Sequence, residues 1–273
     1  MLGFRFSCLV LAAGVVGIAQ AQVTKFNMLR STYYDQASDS VPTANLRAFE
    51  ILLLGSPGDL QKATVTTPSG TNYSKLGSLD GSSFDFSAYP GSEAAAISSF
   101  PSGNYTVSVT KGNLTGKSDS INFPNYATQT FVPQILGDGF SRLNSTPGSQ
   151  SITLDLSAPS NFNSAGPDSG FDFSILDITA GWTTVFSTTA INPSSPSITI
   201  PANTLTSNHQ YQFDYEVSLV QTNSLSFGGS PVTDSFSGSA WTTLGQFTSP
   251  VPEPSSFAAI ALGALALLRR RRR

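Results

Sequence analysis

The sequence predicts an all-β body of two antiparallel β-sandwiches, on three observations. Apolar residues alternate with polar ones over short runs bounded by Gly, Pro, Asn and Ser, which is the period-2 signature of half-buried strands. Only 11% of the 273 residues are charged against 39% hydrophobic, and 23 glycines and 17 prolines supply many turn positions. Charge also divides the chain, because residues 22–142 hold eight Lys or Arg and nine Asp or Glu, whereas residues 143–250 hold seven Asp or Glu and no Lys or Arg. The second half reads as a purely acidic unit.

In the first sandwich, strands are expected near residues 46–54, 63–66, 83–86, 104–110 and 118–123. The run 46–54 (LRAFEILLL) is long enough for a helix, but Gly55-Ser56-Pro57-Gly58 stops it abruptly and favours a strand. Residues 104–110 (NYTVSVT) put Tyr105, Val107 and Val109 on one face. The second sandwich draws on residues 151–156, 171–178, 182–187, 197–200, 211–219 and 243–248. Its run 151–156 (SITLDL) turns Ile152, Leu154 and Leu156 inward. Residues 211–219 (YQFDYEVSL) project Tyr211, Phe213, Tyr215, Val217 and Leu219 together and leave Asp214, Glu216 and Ser218 to water. The junction falls in residues 124–139, which sets the domains at 22–130 and 131–248, and no long amphipathic helix interrupts them.

Hydrophobic helices are expected at both ends. Residues 1–21 read as a secretory signal peptide: Arg5 is the positive n-region, residues 9–18 (LVLAAGVVGI) are apolar, and Ala19-Gln20-Ala21 is the small-x-small pattern cut by signal peptidase. Ten helical residues cross only about half of a roughly 30 Å hydrocarbon core, so cleavage before Gln22 is favoured over a permanent span. The only cysteine, Cys8, precedes the apolar stretch and is removed with it, leaving no disulfide, lipid or thiolate metal chemistry. The closing segment, 249–273, contains Pro252, Glu253 and Pro254, then twelve apolar residues at 257–268, then Arg269, Arg270, Arg271, Arg272 and Arg273. The prolines keep the chain extended and open to an enzyme, and the arginines hold the end of a short, temporary membrane helix on the cytoplasmic side.

This tripartite tail resembles the PEP-CTERM sorting signal of Gram-negative bacteria, with Pro252-Glu253-Pro254 as the motif that names it. The resemblance covers the last 23 residues. It implies an inner-membrane-tethered precursor on which an exosortase acts near the motif, release to the cell surface or extracellular matrix, and company with exopolysaccharide. It implies an address and no activity. A second resemblance is local: Leu205-Thr206-Ser207-Asn208-His209-Gln210-Tyr211 looks like the E–F corner of fibronectin type III or immunoglobulin-like domains, where the tyrosine hydroxyl bonds back to the turn and the leucine packs beneath it. Phe100-Pro101-Ser102-Gly103-Asn104-Tyr105 is a looser counterpart, so both sandwiches are expected to be immunoglobulin-like. Ser207 stands where the corner usually has proline.

Sites of chemistry are sparse. His209 is the sole histidine and is expected in a turn, which removes a His-cluster metal site, and no G-x-S-x-G elbow accompanies it. Asp168-Ser169-Gly170-Phe171-Asp172 and Asp177 are the first places to look for calcium, but the D-x-D-x-D-G loop is missing and turn chemistry explains Asp and Gly as well. Trp182 and Trp241 could form a sugar platform, although in a sandwich they are more often core. No catalytic, cofactor or metal residue is assigned. Residues 22–250 carry eight basic and sixteen acidic side chains, which excludes nucleic acid as a partner. The expected function is a non-enzymatic structural or polysaccharide-associated surface module, with a small polysaccharide-processing enzyme or a filament or layer subunit as alternatives.

Overall fold

The computed structural model describes residues 22–125, 131–160, 162 and 169–251. The expected signal helix and C-terminal hydrophobic helix lie outside these residues. The N-terminal half contributes β1 (Val23–Asp35), β2 (Thr43–Gly55), β3 (Lys62–Thr66), β4 (Asn72–Leu76), β5 (Ser83–Ala88), α1 (Glu93–Ser99), β6 (Gly103–Lys111) and β7 (Ser118–Phe123). The C-terminal half contributes α2 (Gly139–Ser145), β8 (Ile152–Asp155), β9 (Gly170–Asp177), β10 (Thr183–Thr188), β11 (Ser197–Ile200), β12 (Gln210–Thr222), a small hairpin of β13 (Ser226–Phe227) and β14 (Ser230–Pro231), and β15 (Phe236–Thr248). Every strand expected from alternation is present; β1, β4, the hairpin and the two short helices are additions.

Seven strands from both halves form one sheet in the order β10-β9-β12-β15-β1-β2-β5. A four-stranded sheet, β4-β3-β6-β7, covers the inner face at one end, and the pair β11-β8 covers it at the other. Two hydrophobic cores result. One packs Phe26, Met28, Phe49, Ile51 and Leu53 of the long sheet against Val65, Tyr105, Val107 and Phe123. The other packs Phe173, Phe213, Tyr215 and Phe247 against Leu154, Ile198 and Ile200, with Phe140 of α2 edge-on to Phe213. Burying each side chain of this size contributes roughly 1.5–3 kcal/mol.

The structure corrects two expectations. The pairing is not wholly antiparallel, because β1 lies parallel to β15, from Met28 beside Ser237 to Asp35 beside Leu244. A parallel pair needs a long crossover, and here nearly the whole chain supplies it. Nor are the halves two free-standing sandwiches joined at 124–139, since the long sheet runs through that division and both halves share it as one wall. The described part of the junction is itself pinned: the Gln36 side chain donates to Ile135 O and accepts from Ile135 N, both at 3.0 Å, and the Tyr34 hydroxyl donates to Phe131 O at 2.8 Å. Trp241, packed edge-on to Phe131, seals the seam with Tyr34 and Leu219.

Both tyrosine corners form. Tyr211 is fully buried, its hydroxyl donating to Thr206 O at 3.2 Å and accepting from Thr206 N at 2.6 Å, with Leu205 buried in the same core. Asn208 supplies the positive φ of 63° that the corner needs, a conformation asparagine tolerates well. In the other half the Tyr105 hydroxyl donates to Pro101 O at 2.8 Å.

Candidate binding site on the open sheet face

The smaller sheets, the hairpin and both helices all pack on the inner face of the seven-stranded sheet. Its outer face carries a trough. Side chains of one row across a sheet share a face, and the register places Gly170, Ser218, Ala240, Ser31 and Ala48 in a single row across β9, β12, β15, β1 and β2. Five small residues side by side make a floor that runs across the strands for roughly 19 Å, four interstrand spacings. The row on one side is Asp172, Glu216, Thr242, Tyr33 and Leu46; the row on the other is Val220, Gly238, Leu29, Glu50 and Ser87. The central part of this trough is a cavity of about 320 Å³, with Phe236 at its rim.

Its chemistry is acidic, hydroxylic and aromatic. Burial pushes the Glu216 carboxyl up, Asp172 and Asp214 push it further, and a bond from Thr242 Oγ1 at 3.4 Å opposes them. Glu50 is pushed up by burial and by Asp85, and Asp172 by burial alone. Tyr33 is raised by burial and then by Glu50 and Glu216, with exposed Tyr89 close enough to add to the effect. The residues that line the cavity include no Lys or Arg. A larger opening of about 760 Å³ lies beside α2, lined by Asp35, Gln36 and Phe140 among others, but it gathers no comparable set of carboxylates and rings.

The residues singled out in the sequence fall elsewhere. His209 sits in the expected turn, where Nδ1 meets Asp177 Oδ2 at 2.7 Å and ties β12 to the β9–β10 turn. Burial raises the Asp177 carboxyl, but bonds from His209 and from Ala180 N outweigh it and hold the group below its ordinary value. Asp168 lies outside the described residues, Asp172 belongs to the trough wall, and among the described residues no three His, Cys, Asp or Glu side chains are arranged to hold a metal ion. Trp241 is 1% exposed in the seam and Trp182 is 50% exposed on the β9–β10 turn, so the two form no common platform. The trough residues Tyr33, Glu50 and Phe236 were not anticipated; outward-facing Glu216 and Ser218 were the one local signal of them.

An all-β body with an open, trough-bearing sheet is thus joined to a C-terminal tail of separate character. Residues 250–273 match the PEP-CTERM protein-sorting motif, a match that contains Pro252, Glu253, Pro254 and Arg269 to Arg273. Those residues, like Ala19 and Ala21, lie outside the described ones, and no helix among the described residues is long and apolar enough to cross a membrane. No curated protein sequence matches the chain. Among solved structures, a two-domain fibronectin type III segment of chicken tenascin is 15% identical, covering 73% of this chain and 89% of that one, at a TM-score of 0.22. The BSP domain of a biofilm-associated protein is 13% identical over 86% of this chain and 30% of that chain, at 0.25. The FN1–FN3 domains of chicken CNTN1 are 13% identical over 71% and 62%, at 0.32. These scores are too low to carry an argument.

Proposed function

We propose that the protein is an exported cell-surface or matrix protein, processed by signal peptidase and exosortase, whose body is a non-enzymatic module that holds polysaccharide in the trough of its open sheet face. The sorting-motif match at 250–273 carries the address. The trough supports the contact: it is elongated, so a linear polymer can lie along it, and it offers hydroxyl and carboxylate acceptors beside Tyr33 and Phe236. Its lack of cations favours a neutral or amino-sugar polymer over a polyanion. The two halves present that face together through the seven-stranded sheet they share.

The carboxylates argue against turnover. Glu50 and Glu216 rise from strands three spacings apart, roughly 14 Å sideways, where a glycosidase pair needs roughly 5–9.5 Å across the scissile bond. Asp172 and Glu216 are direct cross-strand neighbours on the same wall, so they do not flank a chain lying in the trough. The test takes protein recovered from its host with and without exosortase, located by fractionation and intact mass, and passed over purified matrix polysaccharide. Retention that falls at least tenfold in Tyr33→Ala, with no polymer shortening by the unaltered protein, supports the reading. A full-length tail kept in the membrane in both strains overturns the address, and equal retention of the variant overturns the trough.

A further inference from the structure

Asp59 is 1% exposed and accepts only N–H groups: Ser56 N at 3.0 Å and Gln22 N at 3.1 Å on Oδ2, and Asn113 Nδ2 at 3.2 Å on Oδ1. Among the described residues no ion pair involves it, although a buried carboxylate without a cation is costly. One of its donors is the backbone nitrogen of the residue at which the sequence places signal cleavage. The next residue, Val23, is fully buried as the first residue of β1. The Gln22 side chain is held apart, its Nε2 donating to Pro231 O at 3.0 Å.

We infer that Asp59 is the socket for the mature N-terminus. Hydrolysis of the Ala21–Gln22 amide adds water across that bond, leaves a carboxylate on Ala21 and frees the Gln22 amine, which takes up a proton. The peptide N–H against Asp59 is thereby replaced by an ammonium, and the buried carboxylate gains its cation only on maturation. A second consequence follows for an N-terminal glutamine. Its amine lone pair can attack its own Cδ, forming a C–N bond and breaking Cδ–Nε2, with Nε2 leaving as ammonia. In the socket the amine is kept protonated by Asp59 and the amide is tethered to Pro231, so neither partner of that cyclisation is available. The inference rests on cleavage before Gln22, and the two can fail separately.

The experiment is mass spectrometry of the mature protein from its host, combined with the rate at which an amine-reactive reagent labels its N-terminus. The expected result is an uncyclised Gln22 that labels at least about tenfold more slowly than a disordered peptide beginning with the same residues, the factor for one unit of amine pKa. Asp59→Asn is expected to raise both the labelling rate and the fraction lighter by one ammonia. A mature chain starting at another residue overturns the cleavage position and the socket with it. A chain starting at Gln22 that is mostly cyclised, or labels like the peptide, overturns the socket alone, and this readout on the unaltered protein needs no variant to fold.

Discussion

Replacing Glu93 by Gln tests the seam between the two cores most directly. Arg30 points inward from β1 at the centre of the shared wall and is 1% exposed, and Glu93 at the start of α1 meets its Nη2 at 3.5 Å. Arg47 Nε lies 3.4 Å from the same carboxylate, so one acid serves two guanidiniums. Burial, the largest influence on Arg30, already lowers its pKa, and Glu93 is the main force pushing back. Removing one partner of a fully buried pair costs about 3–5 kcal/mol because the other charge is left uncompensated. Glu93 is 18% exposed, which admits some water and places the expected loss at the lower end, about 3 kcal/mol. For a body of this size that is a fall in Tm of about 6–12 °C. The double variant Arg30→Met with Glu93→Gln removes the deeply buried charge, leaves only Arg47, which is 20% exposed and can reach water, and is expected to recover most of the loss. Urea unfolding, read as a change in midpoint at constant slope, measures both. A loss below about 1 kcal/mol for Glu93→Gln, or a double variant no better than the single, refutes the account of the seam as a charge buried for its partner.

Three further outcomes are expected. Glu50, Asp172, Asp214 and Glu216 all have carboxyls raised by burial, so the folded state binds their protons more tightly and stability falls as pH rises through their folded values. Asp39, Asp80 and Asp177 are lowered by their hydrogen bonds and act oppositely, losing their contribution as pH falls below the unfolded carboxylate range; melting curves should therefore peak near about pH 4–5, and a maximum at pH 7 or above contradicts this. Tyr211→Phe should cost about 1–2 kcal/mol in chemical denaturation, since it removes the hydroxyl that both accepts from and donates to Thr206. In Gly245→Ala a Cβ would lie 2.3 Å from Phe213 Cε1 and 2.7 Å from Gln36 O, so a loss of about 2 kcal/mol or more is expected, whereas Gly91→Ala meets nothing within 4 Å and should be neutral.

The strands that alternation revealed are those whose two faces differ cleanly, such as β6 and β12. The longest strand that it missed, β1, fails that test for reasons the fold makes plain. Its inward positions include Arg30 and Thr32, polar because they meet Glu93 at the seam, and its outward positions include Leu29 and Tyr33, apolar because they line the trough. Two departures from the rule erase the period-2 signal over most of the strand. The Tyr211 corner was legible because leucine, turn and tyrosine lie within seven consecutive residues, and the Tyr105 corner because Pro101, Gly103 and Tyr105 lie within five. The trough was not, because its floor is a row of single small residues from five strands, and that row exists only in the register of pairings between residues as distant as Ser31 and Ala240. The charge division was read correctly as composition but suggested a separation of bodies that backbone pairing overrides.

The parallel pairing of β1 with β15 also orients the body relative to its address. The two strands are the first and last among the described residues and sit side by side near the centre of the long sheet. Running in the same direction, they place the start of β1 at one end of the sheet and the end of β15 at the other; with Met28 beside Ser237, the five residues from Val23 to Met28 and the eleven from Ser237 to Thr248 separate the two ends by roughly 50 Å of strand. The sorting-motif match begins at residue 250, two residues after β15 ends at Thr248. In the proposed tethered precursor, the C-terminal end of the sheet would face the membrane, and Gln22 with Asp59 would lie at the distal end. The trough crosses the strands, so in that proposed precursor it would lie roughly parallel to the membrane plane and open to a polymer from the side. Under the proposed export, the same topology would leave the long sheet incomplete until β15, the C-terminal strand of the described residues, is available to pair with β1.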